Sequence, residues 1–142
     1  MRPFARLADS ALTGIDTNVL VRYLTEDDPA QARKAAAWIQ TTTVRNTRVF
    51  LSVIVLCELA WVLRGAYDVS KADLLVTLDR LMATSQFAIG DKDIVRAGIE
   101  AYRTGRADFA DYVIGQIHQT AGCTTTVTFD RRLRGSPLFQ ML

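Results

Sequence analysis

Leu12-Thr13-Gly14-Ile15-Asp16-Thr17-Asn18-Val19-Leu20-Val21 is the stretch whose reading decides the fold. A short apolar strand candidate runs into one carboxylate, Asp16, that looks buried. Two small polar residues follow, and then Leu20, Tyr23 and Leu24 set a helical spacing. Open α/β sheets build their sites where a strand ends and hands over to a helix. Residues 11–16 therefore read as a first strand, and Asp16 or Thr17 as the cap of a helix to about Thr25.

The rest of the chain repeats that alternation. Glu26-Asp27-Asp28-Pro29 is a break, with Asp28 as cap and Pro29 at the first helical position of a helix to about Thr41. Its apolar stripe is Ala32, Ala35, Ala36 and Ile39. Residues 42–47 read as polar connection and 48–51 as a strand. Ser52 caps a helix over 53–65, which Gly65 ends, and Ser70 caps a helix over 71–84. Residues 86–89 form a third strand, and Asp91 caps a helix to about Thr104. Asp108 caps a helix over 109–121, closed by Gly122. Residues 124–127 form a β-branched strand, 129–134 a short turn, and 138–141 a last edge strand. Strands alternating with helices predict an α/β fold with a mainly parallel sheet under helices.

Composition sets the outer bounds. With 142 residues, 49% hydrophobic and 23% charged, the chain reads as one soluble domain over 1–142. No apolar run nears the roughly 18 residues of a membrane span. Residues 1–10 carry Arg2 and Arg6 without a following apolar core, so they read as a loose tail or an over-long start rather than a secretory signal. Cys57 and Cys123 form no CxxC and sit in apolar contexts, which predicts two buried free thiols in a cytoplasmic protein. Net charge is +2, so the total creates no strong field for nucleic acid. Lys34, Lys71 and Lys92 are the only lysines; all other bases are Arg, whose fork suits phosphate.

Four acidic residues stand in apolar surroundings: Asp16, Glu58, Asp111 and Asp130. Glu58 lies in Val53-Ile54-Val55-Leu56-Cys57-Glu58-Leu59-Ala60-Trp61-Val62-Leu63. An unpaired carboxylate buried there costs several kcal/mol; the plain alternative is a helix face that reaches solvent. Asp108 and Asp111 share the first turn of one helix, where capping and the helix dipole account for acidic residues. Asp130 ends a strand as Asp16 does, and capping of the turn after it is its plain alternative. Taken jointly, three of the four fall at strand ends or helix starts on what is one edge of a parallel sheet. Carboxylates and water are the ligands of hard cations such as Mg²⁺ and Mn²⁺. Without a cation, four converging carboxylates repel one another. The chain offers no GxSxG, P-loop, GxGxxG or zinc-spaced Cys/His set.

These segments resemble the PIN-domain ribonucleases, and among them the VapC-type toxins. The matching pieces are Ile15-Asp16-Thr17-Asn18-Val19-Leu20, Glu58-Leu59-Ala60-Trp61-Val62-Leu63, Ala107-Asp108-Phe109-Ala110-Asp111-Tyr112-Val113-Ile114, and Gly122-Cys123-Thr124-Thr125-Thr126-Val127-Thr128-Phe129-Asp130. They follow in the family's order from Leu12 to the C-terminus. The resemblance implies a three-layer α/β/α fold with about five strands and Mg²⁺- or Mn²⁺-dependent cleavage of RNA. It also implies homodimers and neutralisation by a cognate antitoxin. It carries the catalytic role to Asp16, Glu58, Asp111 and Asp130. Asp16 and Asp111 stand first as metal ligands, with Glu58 and Asp130 direct or through water. Asp108, Thr17, Asn18 and Thr128 are auxiliary.

Other residues carry weaker readings. His118 shares a helix face with Asp111, and a metal leaves it no necessary role as a base. Trp38 and Trp61 suit core or protein-interface packing better than base stacking. Arg131 and Arg132 follow Asp130 directly and suit phosphate contact, pairing with a carboxylate, or plain surface charge. Two other functions compete. A phosphatase of the haloacid dehalogenase type also places an Asp after its first strand, but its Asp-x-Asp would need Asp where Asn18 stands. A receiver-like binding module would hold metal without cutting RNA.

Overall fold

The computed structural model describes residues 11–142; the reading of residues 1–10 as a loose tail lies outside them. The chain divides into two compact units. One comprises residues up to 59 together with 80–90, the other 60–79 with 91–142. Helices α3 (Val53–Gly65) and α4 (Lys71–Ala83) contribute residues to both.

The first unit is built on three strands, β1 (Ala11–Gly14), β2 (Thr47–Leu51) and β3 (Phe87–Ile89), hydrogen-bonded in that order and all parallel. Ala11 stands opposite Thr47, and Val49 opposite Phe87. Parallel neighbours need long crossovers. Helices α1 (Thr17–Leu24) and α2 (Pro29–Val44) make the first of these. Leu20, Val21, Ala35, Ile39, Val49, Leu51, Leu56 and Leu59 form the unit's core. The Gln86 amide donates to Thr42 Oγ1 and to the Thr47 carbonyl, and the Arg48 guanidinium donates to the carbonyls of Ser85 and Phe87, both at 2.8 Å. These four bonds fix β3 beside β2.

The caps form where the sequence put them. Asp28 Oδ1 accepts from Gln31 N–H at 3.1 Å, with Pro29 at the first helical position. Ser52 and Ser70 accept from Val55 and Asp73 at 3.2 and 3.1 Å. Helix α2 runs on to Val44, past the expected end at Thr41. The hydroxyls of Thr41 and Thr42 donate to carbonyls three residues back, at 2.6 and 2.5 Å, so this polar run stays helical. Asp91 holds the cap position of the next helix, but its side chain makes no capping bond. Its backbone is left-handed (φ 49°), whereas a capping side chain needs an extended one.

In the second unit, α5 (Lys92–Thr104) packs against α6 (Phe109–Thr120). Gly98 permits the close approach: a Cβ there would stand 3.0 Å from Val113 Cγ2. Tyr112 Oη accepts from Ala107 N–H at 3.2 Å and fixes the chain just ahead of α6. Phe109 is buried with its ring edge-on to Tyr102, centroids 6.1 Å apart. The Lys71 ammonium covers the Tyr102 ring at 4.7 Å and donates to the Gly105 carbonyl. Strands β4 (Thr126–Thr128) and β5 (Phe139–Met141) pair in parallel, Thr126 opposite Phe139, with a 3₁₀ turn (Arg131–Leu133) between them.

All five expected strands thus form, in parallel pairs, and the mixed α/β class holds. They divide into a ladder of three and a ladder of two rather than one of five. β4 begins two residues later than expected. Gly122 takes φ 102° and Cys123 N–H bonds back to the His118 carbonyl, so residues 123–125 lie before the strand. Cys123 is consequently exposed, against the expectation of two buried thiols. Cys57 is part-buried, and burial pushes its thiol up to about 11. Among the described residues no helix is long and apolar enough to cross a membrane.

Phe109→Ala empties a core site between α5 and α6 at the mouth of α6. Stability is expected to fall by about 3–5 kcal/mol, read by urea unfolding; a loss below about 1 kcal/mol contradicts this packing.

Candidate active site

In the first unit, Asp16 is the N-cap of α1, and its Oδ1 accepts from Val19 N–H at 3.1 Å. Asp16 is exposed, as is all of β1, so its buried look in the sequence is corrected. A cap carboxylate belongs at the solvated mouth of a helix, whatever apolar residues precede it. Glu58 is exposed too. Ile54, Glu58 and Trp61 recur at helical spacing along one outward stripe of α3, and Trp61 is 78% exposed. That removes the need for a buried charge partner at Glu58, and it removes Trp61 from the core. Thr17 Oγ1 donates to Glu58 Oε1 at 2.7 Å. Since Thr17 follows Asp16 directly, one hydrogen bond ties Glu58 to the residue beside the cap.

In the second unit, Asp108 is at the N-cap of α6, and Asp111 Oδ2 reaches back to accept from Asp108 N–H at 3.0 Å. Asp130 caps the 3₁₀ turn: its Oδ1 accepts from Arg132 N–H at 2.9 Å, while its own N–H donates to Thr128 Oγ1 at 3.0 Å. Arg132 gathers these three carboxylates. Its Nη2 lies 2.7 Å from Asp130 Oδ2 and 3.7 Å from Asp111 Oδ2, and its Nη1 lies 3.3 Å from Asp108 Oδ1. Of the readings offered for Arg132, pairing with a carboxylate is the one that forms. Arg131 is exposed.

The electrostatics follow from that arrangement. Hydrogen bonds from Arg132 hold the Asp130 carboxyl below the ordinary carboxylate range. Asp111 is pushed up, first by partial burial and then by the charges of Asp108 and Asp130, against the opposing Asp108 N–H bond and Arg132. Arg132 is pushed up, chiefly by its bonds to Asp130. His118 Nδ1 lies 2.8 Å from Thr126 Oγ1 and is half-buried, so it links α6 to β4.

Within neither unit do the described residues include three His, Cys, Asp or Glu side chains already set to hold a metal ion. The chemistry nevertheless fits. Asp108, Asp111 and Asp130 offer only oxygen, the donor type that hard cations take, and the cation they share here is the Arg132 guanidinium. Within the first unit, Asp16 and Glu58 also offer oxygen donors. The shared pairing of Arg132 is what sequence reasoning missed; its only trace was an Arg two residues after a strand-end Asp.

The PIN domain model matches residues 15–135. The chain belongs to the PIN domain family. Comparison with curated proteins and with solved structures finds no match. The matched span contains Asp16, Glu58, Asp108, Asp111 and Asp130. Membership gives this PIN domain a nuclease-type, hydrolytic function in general, in a family that works with divalent metals and RNA.

Because Arg132 lowers both acids, Arg132→Gln is expected to move Asp130 and Asp111 upward. Carboxyl-carbon NMR titration checks this; an unmoved Asp130 contradicts the pairing. The linkage signs are opposite. The Asp130 pairing stabilises the fold above the ordinary carboxylate range and is lost as pH falls through its lowered pKa. Asp111 disfavours the fold increasingly as pH rises through its raised pKa.

Proposed function

We propose that this PIN domain is a Mg²⁺- or Mn²⁺-dependent endoribonuclease of VapC type, the toxin of a toxin–antitoxin pair. Asp16, Glu58, Asp111 and Asp130 are its catalytic carboxylates. The observation that supports the reading is the convergence of three carboxylates, oxygen donors of the kind hard cations take, on one guanidinium. Family membership favours it over the phosphatase and receiver readings. The toxin role, a cognate antitoxin and a homodimer rest on the four resembling segments.

A divalent cation, when bound, supplies a lowered water pKa and positive charge for the phosphoryl oxygens. The chain's own residues do the rest. Asp16 and Asp111 would be the cation's first ligands, each held at a helix start by a bond from backbone N–H. Thr17 orients Glu58, and Thr128 orients Asp130 through its backbone. Asp108 is auxiliary: it shares Arg132 and starts α6. Arg132 pairs with Asp108, Asp111 and Asp130, whose oxygens a divalent cation would share with it.

Asp16→Asn, Glu58→Gln and Asp111→Asn are expected to lower RNA cleavage by about 100-fold or more while thermal melts stay within a few degrees. Asp108→Asn is expected to be milder, because Asn caps helices well. Expression of the wild type, but not of Asp16→Asn, is expected to arrest growth, with relief on co-expression of a cognate antitoxin. Full activity in Asp16→Asn sinks the assignment.

Cleavage is expected to rise with pH between about 5 and 8 and to vanish in EDTA. A cation binds only the deprotonated set, so its affinity climbs as pH passes the raised pKa of Asp111. More Mg²⁺ then shifts the acidic limb to lower pH, and Ca²⁺ binds while supporting little cleavage. Arg132→Gln is expected to tighten Mn²⁺ binding by calorimetry, since the guanidinium competes for the same oxygens. Undiminished cleavage in EDTA removes the metal from the mechanism.

A further inference from the structure

A trough lies wholly within the first unit, between the end of β1 and the facing sides of α1 and α2. Its volume is about 750 Å³, within the range of small-ligand sites. Gln31, Lys34 and Trp38 recur at helical spacing and give it one wall from α2; Asn18 and Val19 give the other from α1. Asp16 lies on its rim. Trp38 is half-buried, so part of its side chain stays in contact with solvent. Lys34 is exposed and makes no ion pair among the described residues. The Gln31 carbonyl oxygen accepts from Arg22 Nε at 2.7 Å, which leaves its NH₂ group to donate.

We infer that this trough receives one nucleotide of single-stranded RNA, its base stacked on Trp38 and a neighbouring phosphate on Lys34. The inference rests on the nuclease reading only for the identity of the polymer. The lining separates the candidates. An apolar peptide side chain would gain from Trp38 and Val19 but would bury the Lys34 ammonium and the NH₂ groups of Asn18 and Gln31 without acceptors. A nucleotide uses all of them: an aromatic face for its ring, amides for its base edge, an ammonium for its phosphate. A base within a duplex has no free face to offer, so the strand must be single. The position beside Asp16 also has a chemical logic. A nucleotide seated here brings the next phosphate of the strand to the carboxylate at the trough's rim. Trp38 is half-buried rather than in the core, so of the packing roles expected for it the core one does not form.

The chain holds two tryptophans, so Trp61→Phe leaves Trp38 as the sole emitter. A single-stranded oligoribonucleotide is titrated into this variant, first in EDTA and then with Ca²⁺. Saturable quenching of Trp38 is expected in at least one condition, and little from a duplex of the same sequence. Lys34→Gln is expected to weaken binding several-fold and flatten its salt dependence by about one phosphate contact. Trp38→Ala is expected to weaken it about ten-fold or more. Trp38→Phe, which keeps a ring and a packed site, is expected to recover most of that loss. In cleavage assays the same substitutions raise KM with little change in kcat. Absence of quenching in both conditions overturns the inference, as does quenching by an apolar peptide but not by RNA, or an unchanged KM in Trp38→Ala and Lys34→Gln. Quenching by RNA without cleavage under any divalent cation supports the trough and instead removes the nuclease reading.

Discussion

One guanidinium stands among three carboxylates, and the second unit's polar edge is arranged around it. Asp108, Asp111 and Asp130 come from a helix start, its first turn and a strand end. Without a shared positive charge they would repel one another. Each contact alone is a solvent-exposed ion pair of the kind worth about 0–1 kcal/mol. Their joint effect is geometric: Arg132 fixes the distance between the mouth of α6 and the turn after β4. The same turn carries Arg132, so the charge that gathers the acids is placed by one of them, through the Asp130 bond to Arg132 N–H.

The carboxylates are held by backbone rather than by burial. Asp16 and Asp130 cap their elements, and Asp111 reaches back to Asp108 N–H. Glu58, in the middle of a helix, has no backbone donor to use and takes the Thr17 hydroxyl instead. A cap uses one oxygen lone pair and leaves others for a ligand. Capping and ligation are therefore compatible at one residue, and the local explanation of each acid does not compete with the functional one.

Much of this was legible in the sequence. Asp28-Pro29, Ser52 and Ser70 mark helix starts by chemistry that neighbours along the chain decide, and those starts fall within a residue of expectation. The exposure of Asp16 and Glu58 was not legible. Apolar neighbours in sequence are neighbours in space only on the same helix face, and Ile54 and Trp61 share the outward face with Glu58 while Leu56, Leu59 and Leu63 are buried. The end of α2 was missed because threonine hydroxyls can serve a helix or a turn equally well. That Arg132 pairs with a carboxylate was among the readings, but its pairing with Asp108 was out of reach, since Asp108 lies 24 residues from it and only the fold sets their separation.

The two thiols differ in a way that equips the protein for spectroscopy. Alkylation proceeds through the thiolate. With its pKa near 11, Cys57 presents roughly one thiolate in ten thousand at pH 7. Cys123 sits in the exposed turn after α6. A maleimide dye or nitroxide therefore attaches at one point without any engineered cysteine. That point adjoins the helix whose opposite end carries Asp108 and Asp111, so a label there reports on the helix without touching its acidic mouth.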